Sequence, residues 1–211
     1  MRSFKTTFTK AQLKDYQKGV MDYKYKGIPC LKSPIDIAIY LRLISNVRPK
    51  TIIEIGSKHG GSALLFNDFA KMLGWDAQII SIDVLPPKLW VPSGIDFLEG
   101  NIFDLPNVFE KNNLYNLPRP WLVVEDSQHS YDSTTSALNF FGNHLKSGEY
   151  LVIEDGILDD QGWSEQYGGG PNKAIKIYVE KNPNLFEIDE AYCDMFGKNL
   201  TYNPNGYLLK K

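Results

Sequence analysis

The chain predicts a doubly wound α/β fold with a mostly parallel sheet, and three observations carry that reading. Two apolar runs, Trp121 to Asp126 (WLVVED) and Tyr150 to Asp155 (YLVIED), each end in carboxylates and lie one helix length apart. A β-branched run, Thr51 to Ile55, leads straight into a glycine-rich loop, Gly56 to Gly61. Between such runs, apolar residues recur at helical spacing. Strand and helix therefore alternate, as a parallel sheet with crossover helices requires.

The segment up to Pro29 is polar, with Tyr16, Tyr23 and Tyr25 set among lysines. It reads as an N-terminal helix or arm closed by a turn at Gly27 to Pro29. Ser33 before Pro34 is a cap and first-turn pair, and Ile37, Tyr40, Leu41 and Ile44 follow on one helical face until Pro49. After the first strand, Leu65, Phe69, Met72 and Leu73 define a helix that begins near Ser62, which or whose predecessor would cap it, and stops at Gly74. Gln78 to Ile82 is a second strand ending at Asp83. A connection rich in proline (Pro86, Pro87, Pro92) leads to a short third strand, Asp96 to Leu98.

Trp121 to Glu125 is the fourth strand. A helix near Thr134 follows, its face made by Ala137, Phe140, Phe141 and Leu145, and Leu151 to Ile153 is the fifth strand. Gly156 to Asn172 reads as a long polar and aromatic loop, and Asn172 opens a helix to about Glu180. Phe186 to Ile188 and Gly206 to Leu209 complete an antiparallel edge, for about seven strands in all. One domain is expected, with residues 1–48 as a helical arm or lid and 49–211 as the core.

Composition narrows the function. The 211 residues are 43% hydrophobic, enough for one sizeable core, and a net charge of −2 with scattered basic residues argues against nucleic acid. No stretch approaches the roughly twenty apolar residues that span a bilayer. Cys30 and Cys193 fit no metal-ligand spacing and read as buried, reduced thiols. A cytoplasmic protein without membrane contact is expected.

Ionised carboxylates resist leaving water unless a cation or donor compensates them. If the two acidic strand ends are neighbours, Asp126, Glu154 and Asp155 meet at the carboxyl edge of the sheet, where open α/β sheets bind ligands. Three oxygen donors there suit Mg²⁺ or another divalent cation. The alternative is that the acids cap turns and helices.

In Thr51 to Ser62, Gly56 permits a tight turn, while Gly60 and Gly61 let a ligand approach the backbone. Amides at the start of the following helix, near Ser57 and Ser62, are placed to meet an anionic group. The spacing is not G-x-G-x-x-G, which counts against a pyrophosphate cofactor. Asp83 is placed to bind ribose hydroxyls, or else to cap a turn. Glu54 braces the loop or meets an ammonium group. Asn101 and Asp104, in EGNIFD, leave the third strand where an adenine edge would lie. Together these suit an adenosyl ligand.

The chain resembles the class I S-adenosylmethionine-dependent methyltransferases, in particular the cephalosporin-hydroxylase-like branch that also holds sugar O-methyltransferases. DYKYKGIPCLKSPID (Asp22 to Asp36), IEIGSKHGGSALLF (Ile53 to Phe66), EDSQHSYDST (Glu125 to Thr134), YLVIEDGI (Tyr150 to Ile157), GGGPNKAI (Gly168 to Ile175) and YNPNGYLLK (Tyr202 to Lys210) carry the resemblance. It implies a Rossmann-like core, S-adenosyl-L-methionine over Gly56 to Ser62 with Asp83 on its ribose, and Mg²⁺ held by Asp126, Glu154 and Asp155. The implied acceptor is a small hydroxylated molecule, and self-association into homo-oligomers is compatible with the resemblance.

A hydroxyl loses its proton as it attacks a methyl group. His129, in D-x-x-H-x-Y, is a base of suitable pKa beside Asp126, or alternatively a helix cap. Tyr23, Tyr25, Trp163 and Tyr167 lie in segments able to cover the sheet edge, as acceptor contacts or as ordinary packing. The rival readings are a nicotinamide-dependent oxidoreductase and a catalytically silent adenosyl-binding domain.

Overall fold

The computed structural model describes residues 2–88 and 93–211; Pro92 lies outside the described residues. In chain order the elements are α1 (Lys10–Asp22), β1 (Lys24–Tyr25), β2 (Ile28–Pro29), α2 (Pro34–Val47), β3 (Thr51–Ile55), α3 (Gly61–Met72), β4 (Gln78–Asp83) and β5 (Ile95–Glu99). There follow α4 (Leu105–Lys111), β6 (Trp121–Glu125), α5 (Tyr131–His144), β7 (Tyr150–Ile153), α6 (Leu158–Gln161), α7 (Gly170–Lys181), β8 (Phe186–Ile188), α8 (Glu190–Cys193) and β9 (Tyr207–Lys210).

The main sheet has seven strands in the order β5-β4-β3-β6-β7-β9-β8. Five run parallel, and β9 pairs antiparallel with both β7 and β8. β3 and β6 sit side by side in register, Ile55 opposite Glu125, with β4 beyond one and β7 beyond the other. The chain therefore winds outward in both directions from the β3–β6 pair. Loops leaving such a pair part company and open a crevice.

Side chains alternate across the strands, so each strand feeds two cores. Ile53, Ile55, Val123 and Ile153 pack with Phe109, Phe141 and Ile175 of α4, α5 and α7. Ile52, Leu122, Val124 and Val152 pack on the other face with Tyr40, Leu43 and Phe66 of α2 and α3. These are the faces of a buried, near-continuously apolar parallel sheet. A third cluster joins Leu13 and Val20 of α1 to Ile157 and Tyr202. That contact brings the N-terminal helix over the carboxyl end of the sheet.

Four local readings change. The segment Gly156 to Asn172 is not a bare loop: it holds α6 and a 3₁₀ turn over Ser164–Tyr167, and α7 already begins at Gly170. The helix expected near Thr134 starts at Tyr131, because Ser130 and Ser133 form a reciprocal capping box. The helix α3 is entered through Gly60 in the left-handed region, φ 80°, without a side-chain cap. The turn at Gly27 becomes a two-stranded hairpin, β1 with β2.

Candidate functional site

A cavity of about 610 Å³ opens over the β3–β6 crevice. One end is walled by the loop after β3 (Gly56, Ser57, Gly61, Ser62), by Asp83 and by Asn101. The other end is walled by Asp126, His129 and Asp155, and α1 contributes Gln17, Val20 and Met21. Trp163, Tyr167 and Tyr202 complete that side.

The loop geometry follows from close backbone approach. A Cβ on Gly56, whose φ is 105°, would stand 2.0 Å from the carbonyl oxygen of Asp126. One on Gly61 would stand 2.4 Å from the carbonyl oxygen of Pro29. Both glycines are thus required by neighbouring chain, where the sequence suggested room for a ligand at Gly61. Ser57 Oγ lies 2.7 Å from Ser81 Oγ, which donates to Glu54 Oε2 at 2.5 Å. Glu54 is fully buried; burial raises its carboxyl pKa, while the Lys32 charge works to lower it. It braces the loop from below. Asp83 accepts from the Lys58 amide and the Leu85 amide, both at 2.9 Å, and so ties the glycine loop to the end of β4. A carboxylate has further lone pairs, so this bracing leaves it able to accept from a ligand.

At the opposite end, one ligand atom from each of Asp126, His129 and Asp155 lies within 4.8 Å of the other two. His129 Nε2 is 3.3 Å from Asp155 Oδ2 and 3.8 Å from Asp126 Oδ1. Both His129 (φ 54°) and Asp155 (φ 58°) adopt left-handed backbone, which costs a non-glycine residue about 1 kcal/mol or more. The Asp155 amide is held by Asn203 Oδ1 at 3.1 Å. Burial opposes protonation of His129, but the charges of Asp155 and Asp126 outweigh it and raise the imidazole pKa above its ordinary value. Its Nδ1 is buried without a hydrogen-bond partner.

Glu154 is held differently. Its Oε2 accepts from Lys32 Nζ at 2.7 Å and its Oε1 from the Tyr40 hydroxyl at 2.5 Å. Lys32 also bridges to Asp126 Oδ2, and it is only 2% exposed. Burial alone would strip its proton, yet Asp126 and Glu154 hold it charged, with a pKa well above the usual lysine value.

The profile described as rhamnosyl O-methyltransferase/CmcI matches residues 17–211. The chain belongs to this family. It is similar to the rhamnosyl O-methyltransferase of Mycobacterium leprae (strain TN), 32% identical over 193 residues that cover 89% of this chain and 82% of the relative. The rhamnosyl O-methyltransferase of Mycobacterium tuberculosis (strain ATCC 25618 / H37Rv) is 29% identical over 191 residues, covering 88% and 77%. Among solved structures, a CmcI structure with Mg and SAM superposes with a TM-score of 0.71 at 26% identity, over 90% of this chain and 77% of that one. The chain is thus an enzyme of a methyltransferase family, as the sequence resemblance implied.

Within this family fold, Asp126 and Asp155 meet as expected and His129 joins them. Trp163 and Tyr167 line the cavity. Tyr23 and Tyr25 are not in its wall; the Tyr25 hydroxyl instead donates to Asp68 Oδ2 of α3 at 2.7 Å, which pins the hairpin to that helix. Asn101 reaches the wall but also accepts from the Phe103 amide at 3.0 Å. Asp104 turns away and accepts from Asn107 Nδ2 at 2.7 Å. Lys32 was missed, as were Gln17 and Tyr202. A single lysine in a polar arm carries no spacing signal, and only the turn between β2 and α2 delivers it to the acids.

Among the described residues, no helix is long and apolar enough to cross a membrane. Cys30 and Cys193 are free and buried.

Proposed function

We propose that this protein transfers a methyl group from S-adenosylmethionine to a hydroxyl of a small sugar-bearing molecule, with the help of a divalent cation. The carrying observation is one cavity that joins the glycine-loop end to the Asp126–His129–Asp155 end. A donor and an acceptor bound in it would meet between the two. Family membership and the likeness to a CmcI structure with Mg and SAM support both ligands.

On this reading Ser57, Ser62 and the surrounding amides receive the donor, Asp83 takes its ribose hydroxyls, and Asn101 lies toward the adenine. The donor set at the other end fits a hard cation, since oxygen ligands dominate it. Asp126, Glu154 and Asp155 would hold the ion, in the place where Lys32 now bridges Asp126 and Glu154. When bound, such an ion supplies Lewis acidity toward an acceptor oxygen. His129 is left to take the hydroxyl proton at Nε2 while the oxygen bonds to the methyl carbon and the carbon–sulfur bond breaks, releasing the thioether. The nearby acids favour the imidazolium that results. Trp163 and Tyr167 orient the acceptor and exclude water. Residues 1–48 act as the lid of a single working unit, because Gln17, Val20 and Met21 of α1 line the cavity.

Incubation with S-adenosylmethionine, methyl α-L-rhamnopyranoside and Mg²⁺, followed by mass spectrometry, tests the activity. Addition of one methyl group to the glycoside is expected. If neither this nor a panel of other deoxysugar and hydroxylated acceptors is methylated while the donor binds, the sugar reading fails. Tight binding of NAD in place of the donor would favour an oxidoreductase.

A further inference from the structure

We infer that Lys32 is a tethered counter-ion that competes with a divalent cation for the Asp126–Glu154 pair. The inference rests on the cation reading above and adds a residue that opposes the ion instead of holding it. Lys32 lies between β2 and α2, and its ammonium is buried between Asp126 Oδ2 and Glu154 Oε2. Tyr40 fixes the other oxygen of Glu154. The positive charge therefore stands where two carboxylates converge, which is the position a cation between them would claim.

Three carboxyl groups surround the single ammonium of Lys32, so the cluster offers more oxygen donors than the lysine can pair with. Asp126 is the shared member: Oδ2 faces Lys32 and Oδ1 faces His129. An ion drawn to Asp126 and Asp155 accordingly feels the buried ammonium through the same carboxylate at short range, where like charges repel. Two consequences follow. Lys32 keeps Asp126 and Glu154 together when no ion is present, since an uncompensated buried charge is costly. It also holds cation affinity below what the acids alone would produce.

A purely structural lysine predicts the opposite sign. If Lys32 only builds the cluster, its loss scatters the acids and weakens the ion. The test is calorimetric binding of Mn²⁺ to the full chain as wild type, Lys32→Gln and Lys32→Arg, with thermal melting of each in chelator. Lys32→Gln keeps a hydrogen-bond donor without the charge. It should bind Mn²⁺ at least about tenfold more tightly, melt lower in chelator, and gain more from Mn²⁺ than wild type does. Lys32→Arg should stay near wild type in both measurements.

In wild type, stepwise addition of Mg²⁺ should also shift the ¹⁵N resonance of the Lys32 ammonium in proportion to occupancy, a readout that needs no variant to fold. Mn²⁺ binding by folded Lys32→Gln that is unchanged or weaker overturns the inference, as does an ammonium resonance indifferent to bound Mg²⁺. Wild type that binds no divalent ion overturns the cation reading and this inference together, whereas the first two outcomes overturn only the competition.

Discussion

Gly56 and Asp126 touch backbone to backbone: the carbonyl oxygen of Asp126 occupies the space in which a Gly56 side chain would begin. The Asp126 amide in turn donates to Ile55 O at 2.8 Å. The glycine loop after β3 and the carboxylate loop after β6 are therefore one mechanical unit, held at the seam where β3 meets β6.

Gly56→Ala should damage both ends of the cavity at once. A Cβ at that position requires backbone to move, and the residue also needs positive φ. We expect a stability loss of about 2 kcal/mol or more, read by urea unfolding, together with weaker binding of S-adenosylhomocysteine by calorimetry. Wild-type stability with wild-type binding would mean that the two loops can separate freely.

Asp83→Ala removes the acceptor shared by the Lys58 and Leu85 amides. Calorimetry should show S-adenosylhomocysteine binding weakened by roughly 1–3 kcal/mol. Mn²⁺ binding at the other end should persist, because Asp83 lies on β4, away from the acids.

Chelation should abolish turnover and leave donor binding largely intact, and Mg²⁺ should restore the rate. Asp155→Asn should resist restoration, since the amide keeps the shape and loses the charge. Full turnover in excess chelator would leave Asp126, Glu154 and Asp155 with a structural role only.

His129→Ala should lower turnover about 10²- to 10⁴-fold while donor affinity barely changes. A loss under about tenfold, seen in single-turnover assays, would assign His129 to supporting Asp126 and Asp155.

Burial pushes the Cys30 and Cys193 thiols up to about 12. At pH 8 both should stay protonated and fail to react with a disulfide reagent until the chain unfolds, when the ordinary thiol pKa returns. The sign for stability follows. The buried thiols favour the fold fully below the ordinary thiol pKa, and this contribution is lost as the pH climbs from there toward about 12. Rapid labelling of folded protein at pH 8 would refute the burial of both groups.

The sheet was legible in the chain because its cause is local. Runs such as TIIEI and WLVVE are apolar at most positions instead of alternating with polar ones, as a strand covered on both faces demands, and Asn or Gly breaks separate them. Helix starts were less legible. Gly156 to Asn172 hid two short helical turns, since four-residue turns carry no periodicity. Tyr25 looked like an acceptor contact until α3 supplied Asp68 as its partner.

By itself the sequence determined the parallel sheet, the acidic strand ends at Asp126 and Asp155, and the family, since each is written in contiguous residues. Only the tertiary structure decided who stands beside those acids. Lys32 arrives from 94 residues away in the chain to reach Asp126 and 122 to reach Glu154, and His129 is turned inward by a left-handed backbone. Charge pairing across such separations depends on where the folded chain brings each group, and no spacing rule along the sequence encodes it.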